Sequence, residues 1–136
     1  MPDPKIGSKL HFQYMIDQTV LAEKLGYVSV SIPEHHLVNL LMMPSPLQMA
    51  VKVATLTKKI NLVTSVAVLP LHDMRTYAGE VATADVLTDG RLILGVARGA
   101  FAWEMKSLGT PIEKSKEKFI ESLEVLQLLL SKKNVS

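Results

Sequence analysis

Apolar and polar positions follow two rhythms along this chain, and the switches between them mark its elements. From about Phe12 to Leu25 the residues Tyr14, Met15, Leu21, Ala22 and Leu25 gather on one stripe of helical period, which predicts a helix behind a lead carrying Pro2, Pro4 and Gly7. Gly26 ends it, since glycine readily takes the left-handed conformation common just past helix ends. Val28-Ser29-Val30-Ser31-Ile32 then alternates apolar with small polar residues up to Pro33, the pattern of a short strand. A loop from Leu37 to Pro44 leads to Ser45-Pro46, a cap followed by a proline suited to the first helical position. Leu47, Ala50, Val51 and Ala54 share one face of a helix reaching about Thr57, and Lys58-Lys59 places positive charge where the helix dipole favours it.

Ile60 to Leu69 is β-branched and almost continuously apolar, as expected of a strand buried on both faces, and Pro70 closes it. Asp73 can cap a third helix from about Met74 to Leu87, and Thr88-Asp89-Gly90 is a turn signal. Arg91 to Val96 is the next strand, and a loop through Arg98-Gly99 and Trp103-Glu104 follows it. A last helix is predicted from about Ser115 to Leu130, with Phe119, Leu123, Leu126 and Leu130 as its apolar face, before a polar tail from Ser131 to Ser136.

The strands begin near residues 28, 60 and 91, a spacing of about 31–32 residues with a helix after each. A repeated βα unit forces a parallel sheet with right-handed crossovers. An eight-unit barrel of about 250 residues has the same period. The expected fold is therefore α/β: a single domain over residues 1–136 forming part of a TIM (β/α)8 barrel, with about three parallel strands and four helices.

Composition narrows the partners. With 48% hydrophobic and 21% charged residues the chain is an ordinary globular one, and with aromatics at only 5% its core must be aliphatic. It holds no cysteine, which excludes disulfide and thiolate-metal frameworks. A net charge of +2 is too small to steer the protein onto nucleic acid. The longest apolar stretch, Ile60 to Leu71, is broken by polar residues and falls short of the roughly 18 apolar residues of a membrane span. No secretory signal opens the sequence, so a cytoplasmic location is expected.

In a parallel α/β sheet, chemistry collects at the carboxyl ends of the strands. Glu34-His35-His36, Leu71-His72-Asp73 and Arg98-Gly99 all fall at that edge, whereas caps and turns occupy the opposite one. If extended geometry persists, Glu34 and His36 point to one side and His35 to the other, which argues against joint metal chelation; no metal is expected. A histidine at a strand end can act as a base near neutral pH, or it can simply satisfy a carbonyl while its neighbour lies in solvent. Arg98 offers a guanidinium to an anion such as phosphate, with Gly99 permitting close backbone approach; alternatively it pairs on the surface with Glu104. Gly95-Val96-Ala97-Arg98-Gly99 is neither a dinucleotide-binding nor a Walker loop. His72 and Asp73 read as a turn and a cap rather than a dyad, and Glu80 and Asp85 as solvated helix carboxylates.

Several stretches taken together are specific: Ala22-Glu23-Lys24-Leu25-Gly26-Tyr27, Ser29-Val30-Ser31-Ile32-Pro33-Glu34-His35-His36, Val66-Ala67-Val68-Leu69-Pro70-Leu71-His72, Asp85-Val86-Leu87-Thr88-Asp89-Gly90-Arg91, and Leu94-Gly95-Val96-Ala97-Arg98-Gly99. In this order, from about Met15 to Leu130, the chain resembles the bacterial luciferase-like flavin monooxygenases. The resemblance implies a TIM barrel that binds reduced FMN at its C-terminal face and uses O2 to oxidise a small organic substrate. It implies that His35 is the active-site base near the flavin, with Glu34 and His36 in its company, and that Arg98 grips the FMN phosphate. Ser65-Val66 matches the position of a non-prolyl cis peptide beneath the flavin ring, Ala97 that of the reactive-site cysteine of luciferase, and Gly99 completes the cofactor strip. Glu-His-His rather than Asp-His favours FMN over a deazaflavin.

The departures are Ser31 where relatives often carry Trp, Val28 where they often carry Asp, and Asp73-Met74 where His-Pro is common. The resemblance also places the family's first strand before Pro4 and its fifth to eighth strands after Ser136. A half-barrel has two open sheet edges, so a homo-oligomer joined through them is expected. A flavin reductase is the implied partner. The alternatives are a truncated, non-catalytic flavin-binding or oligomerisation module of the same fold and, ranked last, a flavodoxin-like domain.

Overall fold

The computed structural model describes residues 7–38 and 43–131. The predicted lead at Pro2 and Pro4, part of the Leu37 to Pro44 loop and the tail beyond Ser131 lie outside the described residues. Helix α1 (Ser8–Lys24) precedes strand β1 (Ser29–Ile32), helix α2 (Pro46–Ala54), strand β2 (Asn61–Val68), helix α3 (Met74–Leu87) and strand β3 (Leu92–Ala97). A short helix α4 (Ala102–Ser107) and the long α5 (Ser115–Ser131) follow. The strands pair in parallel in the order β1-β2-β3, so each crossover carries a helix, as the 31-residue period requires.

Three expectations are corrected in the helices. On α1, Tyr14, Leu21 and Leu25 are exposed; Ile16 and Thr19 are buried, flanked by Phe12, Met15 and Ala22. Thr19 tolerates burial because its hydroxyl donates to the Met15 carbonyl at 2.9 Å. Ser45 makes no side-chain cap, and α2 stops at Ala54, so Lys58 and Lys59 lie beyond it. Instead the backbone N–H groups of Lys58, Lys59 and Ile60 donate to the Glu23 carboxylate and hold that carboxyl below its usual range. On α5, Leu126 is buried and Leu129 packs beside it, while Leu130 is 46% exposed. Asp73 does cap α3, accepting from the Arg75 N–H at 3.0 Å.

Two apolar clusters lie on the helix side of the sheet. One joins Ile16 of α1 to Ile32, Leu62, Met49 and Val53; the other joins Leu47, Tyr77, Val81 and Leu126 under β2 and β3. Among the described residues the other face is open, so β2 is not buried on both faces: Leu62 and Thr64 are buried, whereas Asn61 and Val63 are half-buried and Ser65 is exposed. At the amino ends of the strands Arg91 ties the layers together, donating to the carbonyls of Thr88, Ala54 and Ile60 and to the Thr57 hydroxyl.

Opposite Gly95 the β2–β3 register shifts between Thr64 and Ala67, and the Ser65–Val66 peptide there is cis. A Cβ on residue 95 would stand 2.3 Å from the Thr64 carbonyl oxygen, so only glycine fits.

Candidate active site

The three parallel strands end side by side, and each hands over to residues with chemistry: Glu34-His35-His36 after β1, His72 after the turn that closes β2, and Arg98-Gly99 after β3. Glu34 is the centre. Its side chain is fully buried; Oε1 accepts from Nε2 of both His36 and His72 at 2.7 Å, and Oε2 accepts from the Val68 N–H at 2.9 Å. Burial pushes this carboxyl up, but the hydrogen bonds from His72 and His36, the His72 charge and the Val68 N–H outweigh it and hold it below its ordinary value. A carboxylate can only accept, so both rings donate from Nε2.

His35 points elsewhere, as the alternation predicts. Its Nδ1 is buried 3.5 Å from Glu104 Oε2, too long for a hydrogen bond, and its ring meets Phe101 edge-on with centroids 5.1 Å apart. Glu104, buried on α4, also accepts from the His36 N–H through Oε1, so one carboxylate links the two adjacent histidines. The Arg98–Glu104 surface pair considered from sequence does not form, because Glu104 is committed to the histidines. Met105, fully buried, anchors α4 over the strand ends: Gly99 has φ +87°, and a Cβ on it would stand 2.4 Å from Met105 Sδ.

Arg98 is exposed and joins no salt bridge or side-chain hydrogen bond among the described residues. Ser65 is exposed on the open face, and Val66 and Ala97 are half-buried; no side-chain hydrogen bond draws these residues or Gly99 into the Glu34 cluster. The structure thus brings together Glu34, His35 and His36 and adds Glu104 and His72, which sequence reasoning did not select. Tyr77 supports His72 from below, stacked at 4.2 Å; its buried hydroxyl has no hydrogen-bond partner among the described residues, and burial together with the charges of Glu34 and Glu80 pushes it well above the usual phenol range. A groove of about 850 Å³ runs between α2 and α3 on the helix side and contains none of Glu34, His35, His36, His72 and Glu104. Among the described residues no cluster of metal-ligating side chains suits a metal ion, and no helix is long and apolar enough to cross a membrane.

The sequence profile of luciferase-like monooxygenases matches residues 2–136. The chain belongs to the luciferase-like monooxygenase family. Within this family it is 32% identical over 97 residues to the oxygenase component of a flavin-dependent trigonelline monooxygenase from Acinetobacter baylyi, covering 71% of this chain and 27% of the relative. Among solved structures it superposes on the monooxygenase RslO1 from Streptomyces bottropensis with a TM-score of 0.90 at 25% identity, over 95% of this chain and 40% of that one. The oxygenating constituent of 3,6-diketocamphane monooxygenase from Pseudomonas putida, solved with FMN, matches with a TM-score of 0.85 at 23% identity, over 91% of this chain and 35% of that one. The chain spans about a third of the length of these luciferase-like relatives. Its three strands and their helices are thus a partial TIM barrel.

Proposed function

We propose that this chain supplies part of the active site of an FMN-dependent monooxygenase, in which reduced flavin and O2 oxidise a small organic substrate. The observation that carries this reading is the grouping, at the carboxyl ends of parallel strands, of a buried carboxylate-histidine cluster beside an arginine with no side-chain partner among the described residues. The residues present fit an FMN. Arg98 is a positive charge at the rim available to a phosphate, and Ser31, Ser65 and Ala97 place small side chains on the open face toward the carboxyl ends of the strands. Ser65, Val66, Ala97 and Gly99 would border the flavin, and Arg98 would hold its phosphate.

When bound, reduced flavin supplies the two electrons that allow one oxygen atom of O2 to enter the substrate while the other leaves as water. The chain's own residues handle position and protons. Glu104 faces His35 Nδ1 and so favours the proton on that nitrogen, leaving Nε2 as the acceptor for a proton released during oxidation. Phe101 holds the ring edge-on, and Glu34 keeps His36 turned away from His35. The reading includes delivery of reduced flavin by a separate reductase, supported by the Acinetobacter relative being the oxygenase component of its system.

The test is Arg98→Ala. It should weaken FMN binding markedly and leave riboflavin, which lacks the phosphate, almost unaffected; equal loss for both ligands overturns the phosphate role.

A second reading is favoured by the sheet edges. Among the described residues β1 and β3 each pair on one side only, and Val28 and Ile93 are 78% and 48% exposed. In this reading the chain is a non-catalytic module that associates with a second copy through those edges. Sedimentation velocity decides: a concentration-dependent dimer supports it, and a monomer at all concentrations removes it.

A further inference from the structure

His72 lies 38 residues from Glu34 in sequence, yet it donates to the same carboxylate oxygen as His36, at the same 2.7 Å. Two rings from two strand ends therefore meet on one atom. The second oxygen is occupied by the Val68 N–H, and the side chain has no exposed surface. His72 is itself placed by an aromatic partner: its ring lies at 20° to that of Tyr77, which is 3% exposed and belongs to the core cluster beneath α3.

We propose that His72 is a positioning residue of this site, coupled to His36 through the shared Glu34 oxygen so that the two imidazoles act as one tautomerically locked pair. Its relevance to oxidation chemistry rests on the flavin reading above; the coupling does not. The physical argument concerns what happens when one donor is lost. Glu34 then keeps a single side-chain donor against complete burial, and a buried carboxyl short of donors takes up a proton. A protonated carboxyl can donate as well as accept, so it no longer requires His36 to carry its proton on Nε2. The charged and titratable groups facing the cluster are His36, His72 and Tyr77, with Glu80 acting on Tyr77 and Glu104 on the His36 backbone.

Ring ¹⁵N and side-chain carboxyl ¹³C spectra of the ligand-free full chain test this. In the wild type, Nε2 of both histidines should show the shift of a protonated ring nitrogen, and the ring signals of both should move at the midpoint where Glu34 titrates. His72→Phe keeps a ring on Tyr77 and deletes the donor. It should raise the Glu34 midpoint by at least one pH unit, a tenfold change in proton affinity, and carry the Glu34-linked step in the His36 ring signals to the same higher pH. His72→Gln, which restores an N–H donor, should return both signals toward wild type. A folded His72→Phe protein with His36 and Glu34 unchanged overturns the proposal. So does a wild-type titration of Glu34 that leaves the His72 ring signals unmoved, which decides the matter even if His72→Phe does not fold. Reduced FMN is titrated in parallel: failure to bind it with the spectra as expected removes the flavin reading and leaves the coupled pair standing.

Discussion

Removing the Glu34 carboxylate should destabilise the fold more than any surface change, and its magnitude follows from its partners. Glu34→Ala strands three donors: two imidazole Nε2 atoms and the buried Val68 N–H. The histidine side chains are each 22% exposed and can turn toward water, so the Val68 N–H and the vacated volume dominate the cost. Breaking a buried charged network by deleting one member typically costs about 3–5 kcal/mol. With a urea slope of about 2 kcal/mol/M, mid-range for a domain of this size, the midpoint should fall by roughly 1.5–2.5 M at unchanged slope. Glu34→Gln keeps the volume but sets an amide N–H against one of the donors, and should cost about 1–3 kcal/mol.

The pH dependence supplies a second check. The folded carboxyl sits below its ordinary 4.5, so its contribution is fully present above that value and is lost as the pH falls through the depressed one. The gap between wild type and Glu34→Gln should therefore narrow as buffers are taken from about pH 7 toward pH 3. Urea melts followed by circular dichroism measure both effects. A Glu34→Ala midpoint equal to wild type, or a Glu34→Gln gap that does not change with pH, would refute the reasoning.

Four other substitutions report on the frame that holds this edge. Gly95→Ala must displace backbone, since its Cβ would stand 2.3 Å from the Thr64 oxygen; thermal melts should show a loss of about 2 kcal/mol or more, and an unchanged melting point would mean the strands separate freely there. Arg91→Lys cannot reproduce a fork that reaches four acceptors, and should cost about 1–3 kcal/mol in urea melts while leaving flavin affinity alone. Leu126→Ala should cost about 2–4 kcal/mol, whereas Leu130→Ala, at an exposed position, should stay within about 0.5 kcal/mol; equal effects would mean that α5 packs through a different face.

The repeat of strand starts made the parallel sheet legible before any coordinates, and Pro33, Gly26 and Asp73 marked element ends that the structure keeps. Burial was harder to read. On α1 a hydroxyl that bonds its own backbone goes inward and Tyr14 stays out, which a count of apolar residues cannot anticipate. The continuous apolar run of β2 looks two-sided, but helices cover only one face of the sheet among the described residues. At the site, Glu34, His35 and His36 stood out because they follow a strand together, and the alternation separated His35 correctly from its neighbours. Glu104 carries no local signal, since it reaches His36 across a separation of 68 residues, and His72, placed at this edge by its position after a strand, was read as part of a turn because its partner Glu34 lies 38 residues away. The parallel register of β1 and β2 sets those two strand ends side by side and so brings His72 to Glu34.

The most direct test of the central claim is an anaerobic titration of the purified chain with reduced FMN, followed by calorimetry. A flavin site at the carboxyl ends of these strands predicts saturable, micromolar binding. Heat that never saturates, matching dilution into buffer, would contradict it.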